Sequence, residues 1–133
     1  MAKTVKVYSK KTEGNLKVSQ NFKVREFACA DGSDVVLIAP DLVILLQAVR
    51  DHFGKPVTIN SGYRTVAHNK KVNNAASDSE HTRGCAADIK IAGIAPKVVA
   101  AYIETLIPNS GGIGTYDSFV HVDTRSKRSR WTG

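Results

Sequence analysis

Two cysteines in 133 residues, Cys29 and Cys85, are too few and too far apart for a disulfide framework or a CxxC pair of metal-ligand spacing. Both read as small buried apolar residues. Long apolar runs are missing as well: the longest, Leu42 to Leu46, falls far below the roughly 18 residues that span a bilayer, so no membrane insertion is expected. The start carries Lys3, Lys6, Lys10 and Lys11 with no apolar block behind them, and does not read as a secretory signal. Negative charge is the minority sign. Nineteen Lys and Arg against 12 Asp and Glu give a formal charge of +7, so an anionic partner, a nucleic acid or an anionic cell envelope, is the expectation. With 42% hydrophobic and 23% charged residues, the composition is that of a folded domain and excludes a disordered chain. The length is that of one domain.

Residues 1–16 are polar and lysine-rich without a period, and read as a loose basic arm or an edge strand ahead of a single domain at 17–133. From Pro40 to Phe53, Leu42, Leu45, Leu46, Val49 and Phe53 recur at helical spacing between a starting Pro and Gly54, which predicts a helix with a core stripe. Pro96 to Ile107 predicts a second, with Val99, Tyr102, Ile103 and Leu106 buried. Alternation marks strands at Pro56 to Ser61 and Ala86 to Ile91, and a hairpin from Ile113 to Thr124 around Asp117-Ser118. Thr65 can cap a short helix through Val72, followed by a polar loop from Asn73 to Glu80. The class is therefore α+β, with a small, mostly antiparallel sheet and flanking helices.

His81, Asp88 and His121 stand out against this pattern. Asp88 lies within Ala86-Ala87-Asp88-Ile89-Lys90-Ile91, where burying a carboxylate is costly unless it is paired or binds a cation. His121 sits in a strand, Phe119-Val120-His121-Val122-Asp123, on one face with Asp123. Two imidazoles and a carboxylate give Zn²⁺ three ligands and leave a fourth position for water, the arrangement of a catalytic site. Such a metal brings the pKa of that water to about 7. The same residues also fit a loop histidine, a satisfied sheet histidine and a partner for a nearby arginine.

Ser79-Glu80-His81-Thr82-Arg83-Gly84-Cys85-Ala86-Ala87-Asp88 matches S-x-H-x-x-G-x-A-x-D. Ser61-Gly62-Tyr63-Arg64-Thr65 with His68-Asn69 precedes it, and Phe119 to Asp123 follows. In these three ordered blocks the chain resembles the D-alanyl-D-alanine carboxypeptidase-like zinc peptidases, a group of bacterial cell-wall peptidases and phage endolysins with the hedgehog signalling domain as a distant member. The resemblance covers roughly residues 17–131. It implies His81, Asp88 and His121 as zinc ligands, Arg64 as a substrate-contacting residue, and Ser79 either as the orienter of His81 or as a loop cap. Arg64 also fits a structural salt bridge with Asp88 or Asp123. His68 reads as a helix residue or a support behind the ligands. Many relatives carry a carboxylate three residues before the last histidine, or a second histidine two before it. Ser118 and Phe119 occupy those positions here, which leaves Asp123 and Asp117 as the carboxylates available as general base. Asp123 is favoured because residues two apart on a strand share a face.

The resemblance implies hydrolysis of peptidoglycan stem peptides, by carboxypeptidase action on D-Ala-D-Ala or by endopeptidase action between L-Ala and a D-amino acid. The implied place of action is the bacterial cell wall, reached from the cytoplasm by a phage-type release, with wall polymers attracted by the basic surface. A second reading is an inactive zinc-containing module that recognises cell-wall peptide. Nucleic-acid binding is set aside, because the basic run Arg125 to Arg130 lacks interleaved aromatics and reads as solvated surface. A monomer is the simplest expectation.

Overall fold

The computed structural model describes residues 4–72 and 79–133; the polar loop expected after Val72 falls largely on 73–78, outside the described residues. The chain opens with strand β1 (Lys6–Ser9) and a single helical turn, α1 (Lys10–Glu13), then β2 (Lys17–Ser19), β3 (Phe22–Lys23), a 3-10 turn (Val24–Phe27) and β4 (Val35–Ile38). Helix α2 (Pro40–Phe53), β5 (Thr58–Ser61) and short helix α3 (Val66–Lys71) follow. A second 3-10 turn (Glu80–Arg83) leads into β6 (Ala86–Lys90), α4 (Pro96–Leu106), β7 (Gly112–Thr115), β8 (Val120–Asp123) and β9 (Ser129–Thr132). The architecture is α+β. Five strands form the main sheet in the order β5-β6-β8-β7-β9, antiparallel except for the β7–β9 pair. Two ribbons, β1–β4 and β2–β3, stand apart from it.

Helix α2 starts on Pro40, where the missing N–H costs nothing, and stops at Gly54, whose φ of 63° closes the helix in the left-handed region. Its buried stripe is Leu42, Val43, Leu45, Leu46 and Val49. Phe53 is only partly buried and meets Tyr102 of α4 edge to face. In α4 the buried residues are Val99, Ala100 and Ile103. Leu106, expected in that stripe, is 36% exposed because the helix ends there, and Ile107 packs on the core in its place. Both helices cover one face of the sheet, where Ala87, Ile89, Ile113, Val120 and Val122 are buried. Each large aliphatic side chain so buried contributes about 1.5–3 kcal/mol. No helix among the described residues is long and apolar enough to cross a membrane.

The basic run near the end of the chain is not simply solvated surface. Arg130 lies in β9 and is held by Glu104 of α4 at 2.6 Å and by the carbonyls of Ile107 and Gly111, both at 2.6 Å. Arg125 turns inward onto Asp123. Only Ser126, Lys127 and Arg128 within the run are exposed, and Arg128 itself donates to the Pro108 carbonyl and to Glu104.

Candidate metal centre

The sheet register builds the site. Asp88 in β6 lies opposite Ser61 of β5 on one side and His121 of β8 on the other. His121 in turn faces Gly114 of β7, and Gly114 faces Trp131 of β9. Directly opposed residues have Cβ atoms about 4.5–5.5 Å apart and share a face, so a single row across five strands carries Ser61, Asp88, His121 and Trp131. Gly114 has no side chain to hold the indole away, and Trp131 lies with its ring centre 5.1 Å from that of His121. The Trp131 indole N–H donates to the Tyr116 hydroxyl at 2.9 Å, and Tyr116 stacks on Phe119, which gives this side of the site an aromatic border.

His81 reaches the row from the Glu80–Arg83 turn. Ser79 caps that turn, its hydroxyl accepting from the His81 backbone N–H at 3.2 Å, so it acts on the backbone that carries the imidazole. Gly84 ends the turn at φ 74°, and a Cβ there would strike the backbone carbonyl of Leu37. Only glycine fits both demands.

Each imidazole has one nitrogen anchored and the other aimed inward. His81 Nδ1 lies 2.7 Å from the Gly62 carbonyl, which can only accept, so Nδ1 carries the proton and Nε2 faces Asp88 Oδ1 at 3.3 Å. His121 Nε2 lies 2.8 Å from Asp123 Oδ2, and its Nδ1 faces the same Asp88 Oδ1 at 3.0 Å. These three inward atoms lie within 4.8 Å of one another. Three acceptors converging in a buried place require a cation between them, a proton or a metal. The electrostatics agree. Burial alone pushes Asp88 upward, but hydrogen bonds from His121 and His81 hold it below the usual carboxylate range. Burial likewise lowers His121, while Asp123 and Asp88 outweigh it and raise the imidazole above its ordinary value. The donor set fits zinc, which takes imidazole nitrogen and carboxylate oxygen and prefers histidines whose second N–H is tied to a carbonyl or carboxylate.

Asp123 lies behind the His121 ring, on the side away from Asp88. It has 0% exposure, and both oxygens are occupied: Oδ1 accepts from Gly112 N, Arg125 N and Arg125 Nε, and Oδ2 from His121 Nε2 and Arg125 Nη2. A general base must meet a water, and this carboxylate meets none of the inward face, so the expectation of Asp123 as base does not fit its placement. Asp117 lies exposed in the turn between β7 and β8. Arg64 is spent largely on the site itself: Nε donates to Ser61 at 3.0 Å, Nη1 to the buried Asn69 at 3.2 Å, and Nη2 to Asp88 Oδ2 at 3.3 Å. It holds the carboxylate oxygen that does not face the histidines. The supporting roles of Arg125, Asn69 and the Gly62 carbonyl are not legible in the sequence, although Gly62 and Asn69 lie within the Ser61–Asn69 block. Arg125 carries a signal, its place two residues beyond Asp123, which the expectation of a solvated basic run does not use.

A model of the peptidase M15 family matches residues 16–123. The chain belongs to this family. The chain is also 38% identical over 80 residues to the peptidoglycan L,D-endopeptidase MepK of Escherichia coli and to the protein of that name from Shigella flexneri. The aligned stretch is 56% of this chain and 43% of either relative, so the chain matches under half the length of these curated peptidases.

Proposed function

We propose that this M15 chain is a zinc-dependent peptidase that cuts peptidoglycan stem peptides, with His81 Nε2, Asp88 Oδ1 and His121 Nδ1 as the metal ligands. The observation that carries the proposal is the convergence of these three atoms within 4.8 Å, each backed by an anchoring partner. Zinc held there supplies a Lewis acid for a scissile carbonyl and lowers the pKa of water to about 7. The chain does the rest. Asp123 and the Gly62 carbonyl keep the two imidazoles in the tautomers that face inward. Arg64 fixes Asp88, and the part of its guanidinium left unbonded is a donor for a substrate carbonyl or carboxylate. Ser79 secures the His81 turn. With Asp123 enclosed, Asp117 is the remaining expected proton acceptor, its exposed carboxylate free to meet water.

The name of the E. coli relative supports cleavage between an L- and a D-residue over removal of a terminal D-Ala, and is in keeping with work at the cell wall. The charge of +7 suits a wall rich in anionic polymer. A second reading, a zinc-holding module that binds wall peptide without cutting it, draws on Ser118 and Phe119 standing where many relatives carry a proton acceptor. Digestion of purified peptidoglycan with mass analysis of the fragments separates the two. Zinc-loaded protein releases fragments with a new L-amino-acid carboxyl end, and His81→Ala releases none. An unchanged digest at full zinc occupancy overturns the enzymatic reading. Asp117→Asn lowers the turnover number by about 10²- to 10⁴-fold if Asp117 moves the proton; an unchanged rate removes it from the mechanism.

A further inference from the structure

Cys29, Asp31 and His68 form a second cluster of metal-ligating side chains, with Sγ, a carboxylate oxygen and an imidazole nitrogen within 4.8 Å of one another. None of them belongs to the centre above. Cys29 and Asp31 lie on the loop after the Val24–Phe27 turn, and His68 lies on α3. The two segments are joined by specific bonds. Tyr63 N–H donates to the Phe27 carbonyl at 2.9 Å, and the Thr65 hydroxyl donates to Asp31 Oδ2 at 2.8 Å. That hydroxyl also accepts from His68 N–H at 3.1 Å, capping α3. Asp31 Oδ1 accepts from Ser33 N–H at 2.9 Å, and Gly32 turns the loop at φ 85°. Backbones on both sides of the cluster are therefore set before any ligand arrives.

Cys29 is a free thiol at 3% exposure, His68 is half-buried and Asp31 is exposed. This grading places the sulfur at the floor and the carboxylate at the mouth, which leaves one open side for entry and for a fourth ligand. A thiolate, an imidazole and a carboxylate make a set that zinc and cobalt take readily, whereas magnesium and calcium want oxygen alone. Cys29 is buried, as the sequence predicts, and it is buried beside two further ligand types.

We propose that Cys29, Asp31 and His68 bind a second divalent transition metal of the zinc class, which clips the Cys29–Asp31 loop to the segment from Gly62 to His68. That segment carries the Gly62 carbonyl that anchors His81 and the Arg64 that anchors Asp88. The second metal thus stiffens the supports of the first centre without touching substrate.

Cobalt distinguishes the two sites, because only this one contains sulfur; Cys85 packs in the core cluster and belongs to neither group of ligand atoms. Full-length protein stripped of metal and titrated with Co²⁺ binds two equivalents and develops thiolate-to-cobalt charge-transfer absorption in the near ultraviolet. Cys29→Ser abolishes that absorption and one equivalent. His68→Ala, on a partly exposed helix residue, weakens or removes the same equivalent and guards against a misfolded Cys29 variant. His81→Ala loses the other equivalent and keeps the charge-transfer absorption, so failure of the first centre and failure of this one are told apart. Wild-type protein that binds a single equivalent, or two without thiolate absorption, overturns the proposal, as does absorption that survives Cys29→Ser.

Discussion

At Asp123 five hydrogen bonds converge on one carboxylate, three of them from Arg125. Burial pushes its pKa up, yet His121 and Arg125 hold it well below the usual range, so the group stays ionised behind the ring and fixes the proton on His121 Nε2. Asp123→Asn keeps the shape but not the charge, and it sets an amide N–H₂ against donors. Metal affinity, measured by competition with a chromophoric chelator, should fall ~10- to 100-fold, with hydrolysis falling alongside it. Unchanged affinity with lost hydrolysis would instead return Asp123 to proton transfer. The three inward side chains stand out in the sequence because a carboxylate amid strand-forming residues demands a cation, but alternation alone also fits an arginine partner, and only the family resemblance implies metal ligation. The role of Asp123 is not legible there, since alternation gives the face a side chain occupies but not which side of a neighbouring ring it meets. Arg64 shows the same limit: the alternatives of substrate contact and ion pair differ only by where a flexible guanidinium comes to rest.

Among the elements, the turn into β6 is the most constrained. Gly84 combines φ 74° with close approach to the Leu37 carbonyl, and its own carbonyl accepts from Ala39 N–H at 2.9 Å. Gly84→Ala therefore meets strain and a backbone clash together, and thermal unfolding should show a loss of about 1–3 kcal/mol or more. His81 and Asp88 lie on either side of this turn, so metal affinity should drop as well. At the other end of the chain, Asp34 ties the start of α1 to the β4 side through the Lys11 N–H at 2.7 Å and the Ser9 hydroxyl at 2.8 Å. Those hydrogen bonds, the Lys11 N–H first, lower its pKa. A depressed folded-state pKa means that the contribution is complete above the unfolded value of about 3.9 and fades as pH falls below it. The Lys11 amide NMR signal should titrate with a midpoint below that value, and Asp34→Asn should abolish the step; a midpoint at the ordinary value would break the link. Helix α2 was legible from its stripe, its Pro and its Gly. Strand β9 was not, because Ser129 to Thr132 shows no apolar alternation and its parallel partner β7 is distant in sequence.

Across the whole molecule, metal and charge make separable claims. A ligand that binds only the folded state stabilises it by about 4 kcal/mol when present at 1,000 times its dissociation constant, so chelation should lower the melting temperature and zinc should restore it. Charge acts at longer range. The excess of Lys and Arg over Asp and Glu is partly consumed inside the fold, where Arg64, Arg125 and Arg130 are paired with Asp88, Asp123 and Glu104. These pairings remove equal numbers of both signs, and the net +7 is therefore carried by the remaining surface. Surface fields of this kind decay over about 10 Å at 0.1 M salt and about 3 Å at 1 M, while the ligands of a buried metal centre are screened far less. Binding to insoluble wall material that bears phosphate polymers should thus weaken as salt rises through that range, and wall stripped of those polymers should bind less with little salt dependence. Hydrolysis of a short, neutral stem peptide in solution should hardly change across the same salt series. Equal salt sensitivity of both measurements would place the charge effect in the catalytic centre and remove the surface from the account of wall recognition.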